Sequence, residues 1–184
     1  LREMLGLDDP ADFAPAHPRL LGWRKAFRAT RLVQAISLAE QHAVLILQQR
    51  ITFTEAARSW RAMCLRLDRR APGPLPLWLP PTPADWLALP QPHARALEID
   101  AHRWQALHHA SRAAAEVESR RADRTALSDY LMAIPGTGPW TTGLMRGLGT
   151  GDADAIVLGD VHMPHDVSAL LTDVPHGSDD KMVE

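Results

Sequence analysis

Two prolines and two glycines fall within five residues, Pro135-Gly-Thr-Gly-Pro139, inside a stretch that is otherwise helical in pattern. Pro135 ends the preceding helix, and Pro139 suits the first position of a following one. Gly136 and Gly138 let the backbone take positive φ values and let another backbone approach closely. The sequence therefore predicts two helices joined by a tight hairpin, with the N–H groups that open the second helix free to bind a phosphate.

Helical spacing of apolar residues extends along most of the chain. The clearest run places apolar residues at three- and four-residue steps on one helix face: Leu32, Val33, Ile36, Ala39, Ala43, Val44 and Leu47. Thr52 with Glu55 fits a capping box that opens a helix, and Thr82 precedes another helix start. Residues 98–118 and 127–134 carry helical patterns too. No segment shows the sustained alternation of a strand, so we predict an all-α protein.

Composition excludes several classes of protein. Residues 71–83 contain six prolines, which rule out helix and central strand and predict an ordered connector or a linker. The longest unbroken apolar run, Ala43–Leu47, is too short to span a bilayer. The single cysteine, Cys64, excludes a disulfide framework, a cysteine-ligated zinc site and a four-cysteine iron–sulfur cluster. Because no secretory signal segment opens the sequence, we expect a cytoplasmic globular protein without a membrane partner.

Charge is distributed unevenly behind a formal net charge of −2. Residues 19–70 hold eleven basic residues against three acids, whereas residues 151–184 hold eight acids against one lysine. A basic segment of this size predicts a polyanionic partner. The alternative is that the two segments are solvated faces that attract each other.

An aspartate follows the hairpin. Asp160 lies 22 positions beyond Gly138, within Gly159-Asp-Val-His-Met163. Together with Ile134-Pro-Gly-Thr-Gly-Pro-Trp-Thr141, this segment resembles the helix-hairpin-helix (HhH-GPD) DNA glycosylase superfamily. Within that superfamily the chain is most similar to the alkylpurine branch, 3-methyladenine DNA glycosylase II. Leu45–Thr52 resembles the segment of that branch that precedes its DNA-probing loop.

The resemblance implies a monofunctional DNA glycosylase of base excision repair. Such an enzyme flips an alkylated, 3-methyladenine-like purine out of double-stranded DNA and hydrolyses its N-glycosidic bond. Asp160 matches the catalytic aspartate, and Gln49 and Arg50 match the position that enters the gap left by the flipped base. The resemblance implies seven DNA-binding residues in all: Gly136, Thr137, Gly138, Trp140, Thr141, Gln49 and Arg50.

Further expectations concern the base pocket and bound groups. Electron-rich rings attract a cationic base, and three aromatic residues are candidates for the pocket: Trp140, Trp104 and Tyr130. The resemblance implies no cofactor except a monovalent cation, Na⁺ or K⁺, at the hairpin. Its ligands would be three backbone carbonyls, those of Met132, Ile134 and Thr137. Bifunctional members carry a lysine where Trp140 stands, so we expect no lyase activity.

The expected architecture is one glycosylase domain over residues 1–184, a two-lobed helical bundle with an interlobe active-site cleft. Residues 32–146 would form the lobe that ends in the hairpin. Residues 1–31 together with 147–184 would form the second lobe, and Asp160 would lie in the cleft. The sequence begins without Met and stops within two turns of a capped helix start, so we expect further segments at both ends. We expect a monomer.

Two other functions fit parts of the sequence. The first is a non-catalytic helix-hairpin-helix DNA-binding protein or a degenerate glycosylase, in which Asp160 only caps the helix that follows it. The second is a metal-dependent hydrolase that uses His162, His165 and Asp166 as ligands.

Overall fold

The computed structural model describes residues 2–7 and 14–183, and the secondary structure within these ranges is helical. It comprises a 3₁₀ turn, ten α-helices and a π-helical turn: Glu3–Leu5, α1 (Pro18–Ala26), α2 (Leu38–Gln48), α3 (Phe53–Leu67), α4 (Pro83–Leu87), α5 (Gln91–Ala96), α6 (Ala101–Ser119), α7 (Arg124–Ala133), α8 (Pro139–Leu144), Met145–Gly149, α9 (Met163–Thr172) and α10 (Asp179–Val183). The predicted all-α class is confirmed. Over the described ranges, no helix is both long enough and apolar enough to cross a membrane.

Side-chain caps fix where the helices begin. Thr52 and Glu55 form both hydrogen bonds of a capping box at the start of α3, as the sequence predicts. Thr82 does the same at α4, with Asp85 as its partner. Ser37 caps α2, a start that the sequence pattern did not predict. The capped starts set the lengths of the connections between the helices.

The hydrophobic core consists of two clusters that share α2 and α6. The first lies among α2, α3, α4, α5 and α6 and has these buried residues: Ala43, Ile46, Leu47, Ala56, Met63, Trp86, Leu89, Ala94, Ile99, Ala106, Leu107 and Ala110. The second joins the same two helices to α7 and the π-helical turn: Leu38, Leu45, Ala113, Val117, Leu127, Leu131, Ile134 and Met145. Since α2 contributes to both clusters, it is apolar on two faces, and its end nearest the hairpin is held rigidly.

The helix predicted to begin near Leu32 begins six residues later, at Leu38. The apolar residues Val33 and Ile36 are exposed, the latter to 82%. Their segment is held in a non-helical path because the Ala35 N–H donates to carbonyls of the π-helical turn, at 3.1 and 3.2 Å. The Arg121 guanidinium also donates to the Ala35 and Ile36 carbonyls, at 3.0 and 3.3 Å. Tertiary hydrogen bonds therefore override the helical spacing here.

The proline-rich segment is an ordered connector. The Ala71 N–H donates to the Leu77 carbonyl at 2.9 Å, and the Leu79 N–H donates to the Arg69 carbonyl at 2.8 Å. The Arg70 guanidinium lies 4.0 Å from the centroid of the Trp78 ring. Leu77 and Leu79 stay more than 40% exposed, so of the three apolar residues expected to pack only Trp78 is partly buried.

Helix α1 contacts the C-terminal end of α9. Arg19 on α1 donates to both carboxylate oxygens of Asp173, at 2.6 and 2.5 Å, and to the Leu170 carbonyl at the end of α9. This contact joins α1 to the end of α9, and the pairing of residues 1–31 with residues 147–184 in a second lobe stays a prediction. The lobe boundaries themselves remain a prediction.

A buried carboxylate fixes the chain where it leaves the hairpin region. Asp152 is 1% exposed and forms ion pairs with Arg146 at 2.5 Å and Arg124 at 3.0 Å. It also accepts the Asp154 N–H at 3.1 Å. Two guanidinium groups and an N–H compensate the desolvation of this charge. Asp152 therefore ties the start of α7 and the π-helical turn to the segment that leads to Asp160.

Candidate active site

The hairpin turn connects α7 to α8, and its two glycines differ in backbone conformation and in the space around them. Gly136 has φ +89°, and a Cβ there would lie 2.5 Å from the Cβ of Ala106 on α6. Gly138 has φ −107°, which any residue adopts, and a Cβ there would meet nothing within 4 Å. The sequence allowed a positive φ at both glycines of the turn, and only Gly136 adopts one. The first glycine is thus required by the fold, whereas the second leaves open space above the start of α8.

Two side chains contact the hairpin: His42 in the middle of α2 and Gln49 directly after that helix. Gln49 donates to the Gly136 carbonyl at 2.8 Å and to the Thr141 hydroxyl at 3.0 Å. His42 Nε2 lies 2.8 Å from Thr137 Oγ1, within hydrogen-bonding distance, and both residues are buried. Burial lowers the pKa of His42 to about 4, so its imidazole is neutral at pH 7. These contacts fix the turn relative to α2.

A close backbone contact brings the post-hairpin segment onto α8. A Cβ at Gly143 would lie 2.5 Å from the Ile156 carbonyl oxygen and 2.9 Å from the Cα of Val157. Only glycine permits this approach, in which the backbone of 156–157 lies directly against the helix. Trp140 precedes Gly143 by one helical turn on α8. The chain therefore passes beside Trp140 shortly before it reaches Asp160.

The Asp160 carboxylate accepts three hydrogen bonds. Its Oδ2 accepts the indole Nε1–H of Trp140 at 2.8 Å. Its Oδ1 accepts the backbone N–H groups of His162 and Met163, at 2.8 and 2.9 Å, at the start of α9. The side chain is half-buried rather than enclosed in the core. Asp160 thus caps α9, as the alternative interpretation holds, and at the same time contacts the hairpin helix, which a cap alone does not require.

These contacts keep the carboxylate charged. Desolvation by partial burial raises the pKa of Asp160, but the N–H groups of Met163 and His162 and the indole of Trp140 outweigh it. The net result is a pKa below the ordinary value of an aspartate. Asp160 is therefore ionised at neutral pH, in a position to stabilise positive charge or to accept a proton.

Some of the predicted DNA-binding side chains are buried or bonded to the hairpin, whereas that of Arg50 is exposed. Thr137 and Thr141 are buried within the hairpin, so only their backbone groups can meet a ligand. Gln49 is engaged with the hairpin and is not free to insert into DNA, because its amide already donates twice. Arg50, the next residue, is exposed and has φ +60°, a left-handed conformation that is uncommon outside glycine. Of the two residues expected at the flipped-base gap, only Arg50 projects freely.

Two of the three pocket candidates lie elsewhere. The Trp104 indole donates to the Leu89 carbonyl at 2.8 Å and packs against the first core cluster. Tyr130 packs against the second cluster, and the Arg120 guanidinium covers its ring at 4.3 Å from the centroid. Since a cation already occupies that π face, Tyr130 is a poor partner for a cationic base. Only Trp140 contacts Asp160.

The metal-hydrolase alternative is wrong in its geometry. Throughout residues 2–7 and 14–183, no three His, Cys, Asp or Glu side chains form a group that could hold a metal ion. His162 and His165 are exposed, and His165 accepts the Gly177 N–H at 3.2 Å. The proximity in sequence of His162, His165 and Asp166 reflects the first turn of α9, and these side chains do not converge.

Sequence reasoning missed two residues that shape the site. His42 appears in the pattern only as a polar residue on an otherwise apolar helix, which is the signal that could have identified it as a buried hydrogen-bonding residue. Gly143 appears as a glycine inside a helix, which costs stability unless a close contact requires it. Both were visible in the sequence, but their partners, Thr137 and the 156–157 backbone, were not.

Comparison with known proteins defines the fold. No protein-family profile matches the sequence, and no curated protein matches it either. Solved structures do match. The chain aligns over its whole length with a 3-methyladenine DNA glycosylase from Archaeoglobus fulgidus, at 21% identity and a TM-score of 0.80, covering 65% of that protein.

Two further structures extend the comparison. An 8-oxoguanine glycosylase/lyase from Clostridium acetobutylicum bound to double-stranded DNA matches 98% of the chain at 11% identity and a TM-score of 0.75, with 64% of that protein covered. A 3-methyladenine DNA glycosylase from Schizosaccharomyces pombe in complex with abasic DNA matches 94% of the chain at 15% identity and a TM-score of 0.68, with 83% covered. The chain thus spans just under two thirds of the first two proteins. The structures confirm the fold expected from the resemblance: the described part of the chain has the fold of the helix-hairpin-helix DNA glycosylases.

Proposed function

We propose that this protein is a monofunctional DNA glycosylase that excises alkylated, 3-methyladenine-like purines from double-stranded DNA in base excision repair. The observation that carries the proposal is the contact between an ionised Asp160 and the indole of Trp140 on the hairpin helix. It puts a charged carboxylate beside the structural element that would bind the DNA backbone. A cap of α9 does not by itself require a contact with Trp140.

The chemistry needs one carboxylate. As the C1′–N bond of the flipped nucleotide breaks, its electron pair leaves with the base, and positive charge develops on the deoxyribose. The Asp160 carboxylate stabilises that charge and takes a proton from the attacking water, whose oxygen bonds to C1′. An alkylated purine is cationic, and the electron pair it receives neutralises it. It therefore leaves without a general acid, and the products are the free base and an abasic site.

Trp140 supports both the choice of base and the absence of lyase activity. Its ring lies beside Asp160, so a flipped cationic base at the reacting centre could stack on an electron-rich surface. Its side chain has no amine, so it cannot form a Schiff base with the sugar. The DNA strand should therefore remain intact after the base is released.

The hairpin is proposed to bind one DNA phosphate. The open space above Gly138 admits a phosphate to the N–H groups at the start of α8, where the helix dipole favours an anion. The carbonyls of Met132, Ile134 and Thr137 lie at the end of α7 and in the turn, where a helix presents unpaired oxygens. The Ile134 carbonyl also accepts the Thr137 N–H at 2.9 Å. Neutral oxygens of this kind fit a Na⁺ or K⁺ ion, which would add positive charge beside the phosphate.

Arg50 is proposed to fill the gap that the flipped base leaves in the duplex. It is exposed, and it lies in the turn between α2 and α3 with a left-handed backbone. The neighbouring Gln49 is bonded to the hairpin, so the distance between the inserted side chain and the bound phosphate is restricted. Extrusion of a base costs a few kcal/mol of stacking, which an inserted side chain offsets in part.

One observation favours the non-catalytic alternative. The Asp160 carboxylate already accepts three hydrogen bonds, which is what a purely structural cap would show if it also anchored Trp140. A protein of this kind would bind DNA through the hairpin and release no base.

Release of free base from defined DNA tests the proposal. Purified protein is incubated with three duplexes that carry methylated purines, 8-oxoguanine or no damage, and released bases are quantified by chromatography. The proposal predicts release of methylated purines, with strand scission appearing only after alkali treatment. Scission without alkali would contradict the monofunctional assignment. Release of 8-oxoguanine alone would reassign the substrate, and DNA binding without any release would support the non-catalytic alternative.

A further inference from the structure

Asp179, at the start of α10, contacts the backbone immediately before the proposed catalytic residue. Its Oδ2 accepts the Gly159 N–H at 2.8 Å, across twenty positions of sequence. No other side chain in the described part of the chain holds that N–H group. Since Gly159 is the residue before Asp160, this hydrogen bond restrains the position of the backbone that leads into Asp160.

The backbone at Gly159 is a point of conformational freedom. Its φ is +77°, and a Cβ there would meet nothing within 4 Å, so packing does not fix it. The Asp160 carboxylate accepts hydrogen bonds from the start of α9 and from the Trp140 indole, and neither bond holds the peptide before Asp160. Without an anchor behind it, the peptide at 159 can rotate and change the distance between the carboxylate and the hairpin helix.

The segment before α10 is seated firmly against α9. A Cβ at Gly177 would clash with the Pro164 carbonyl oxygen and would lie 2.7 Å from the Cβ of Ser168. The Gly177 N–H donates to His165 Nδ1 at 3.2 Å. Residues 177–179 therefore contact the chain on both sides of Asp160. Asp179 bonds to Gly159, which precedes it, and Gly177 packs on α9, which follows it.

The other oxygen of Asp179 argues against a purely structural role. Its Oδ1 is buried and has no hydrogen-bond partner in the described part of the chain. A buried carboxylate oxygen without a partner costs stability, so stability alone does not explain an aspartate at this position. The cost is understandable if the carboxylate is retained to hold the Gly159 N–H.

We propose that Asp179 is a positioning residue for base excision, and that it holds the Gly159 peptide so that the Asp160 carboxylate stays beside Trp140. This inference rests on the proposed glycosylase function. It concerns the transition state, where displacement of a group by about 1 Å can cost up to a hundredfold in rate. It leaves DNA binding to the hairpin unchanged.

The test compares wild type with D179A, D179N and D180A. The asparagine variant keeps an oxygen acceptor for the Gly159 N–H and removes the charge, whereas the alanine variant removes both. Asp180 is the exposed neighbour on the same helix, so D180A serves as the matched control. Single-turnover release of methylated purine, KM, the thermal midpoint and amide hydrogen exchange of residues 158–162 are measured for each protein.

The proposal predicts that D179A slows single-turnover release by about tenfold or more, with KM and the thermal midpoint near wild type and faster exchange at Gly159. D179N should recover most of the rate, and D180A should match wild type. A D179A rate equal to wild type, or D179N as slow as D179A, would overturn the positioning role while leaving the proposed function standing. If the wild type releases no base, the proposed function fails first.

Discussion

At the residue scale, the central feature is a carboxylate with donors on two structural elements. Asp160 bonds to α9 through backbone N–H groups and to α8 through the Trp140 indole. The backbone bonds fix its orientation, and the indole bond ties it to the element that would hold the DNA. Each donor also lowers its pKa against the opposing effect of desolvation. Orientation and charge thus come from the same three contacts.

Replacing the indole tests that arrangement. W140F keeps an aromatic ring and removes the N–H that donates to Asp160, so the pKa of Asp160 should rise. The acidic limb of the pH–rate profile for base release should then move to higher pH, and the rate at neutral pH should fall by about tenfold. W104F is the matched control, because it removes an indole bond to the Leu89 carbonyl in the core. An unmoved acidic limb in W140F would show that this bond does not tune Asp160.

His42 makes stability depend on pH. Its pKa lies near 4 in the folded protein and near 6.5 when unfolded, so the unfolded chain binds more protons between those values. The stabilisation is complete above pH 6.5 and is lost as pH falls toward 4. The loss should be on the order of 3 kcal/mol.

Urea unfolding between pH 7 and pH 4 measures this effect. H42Q retains a donor for the Thr137 hydroxyl and does not titrate, so its free energy of unfolding should change less over that range than that of wild type. H102Q, at an exposed position of α6, should keep the wild-type profile. If the free energy of unfolding changes with pH equally in H42Q and wild type, folding does not lower the pKa of His42.

Single residues were predictable from the sequence where their chemistry is local. Asp160 was singled out because Gly159-Asp-Val-His-Met163 resembles the segment of the helix-hairpin-helix glycosylases that carries the catalytic aspartate, and that role stays a prediction. Trp104 and Tyr130 could not be told from Trp140, because aromatic rings occur both in cores and at sites, and only tertiary contacts separate them. The bracing role of Gln49 was missed for the same reason, since its partner Gly136 lies 87 positions away.

At the element scale, the hairpin is a turn fixed from two sides. Ala106 on α6 limits it at Gly136, and Gln49 and His42 hold it from behind at α2. The remaining side, at Gly138, is open in the described part of the chain. We expect the N–H groups on that open side to reach a ligand without rearrangement of the turn.

The two glycines should respond differently to alanine. G136A should lower the free energy of unfolding by about 3 kcal/mol, because it combines strain at φ +89° with a clash against Ala106. G138A should leave stability within about 0.5 kcal/mol of wild type and weaken DNA binding by roughly tenfold, because its methyl group occupies the proposed phosphate position. Urea unfolding and fluorescence anisotropy measure the two effects. Unchanged DNA affinity in G138A would remove the phosphate from this position.

A capping box made two helix starts predictable, whereas the start of α2 was not predicted although Ser37 caps it. Thr52 and Thr82 mark helix starts through hydrogen bonds to residues three positions on, which a sequence shows directly. At α2, Ser37 caps the helix by accepting the Glu40 N–H, but the helical spacing of apolar residues begins before that cap. Hydrogen bonds with Arg121 and with the π-helical turn divert residues 32–36 from a helix. Long-range hydrogen bonds of that kind leave no local pattern.

At the scale of the whole molecule, the charge distribution favours a polyanionic partner. Within the described residues a single ion pair, Arg19 with Asp173, joins the basic segment 19–70 to the acidic segment 151–184. Direct ion pairing between the two segments is thus limited to that contact in the described part of the chain. Several basic side chains of the first segment form no ion pair in the described residues: Arg24, Lys25, Arg28, Arg50 and Arg61.

Binding to duplex DNA should accordingly weaken steeply as salt is added. Each phosphate contact contributes about 0.9 to the slope of log K against log salt, and we expect a slope of about −3 or steeper. Fluorescence anisotropy titrations with an undamaged duplex measure this slope, in buffers of about 50 to about 300 mM KCl. An affinity independent of salt would contradict a role for the basic segment in DNA binding.

The most direct test of the account as a whole is base release by D160N under single-turnover conditions on methylated duplex DNA. The substitution keeps the size of the side chain and an acceptor for the N–H groups of His162 and Met163, and it removes the charge. The account predicts that wild type releases methylated purine, that D160N is slower by at least about a hundredfold, and that D160N binds the duplex as tightly as wild type. Release by D160N at the wild-type rate would contradict the assignment of Asp160 as the catalytic carboxylate.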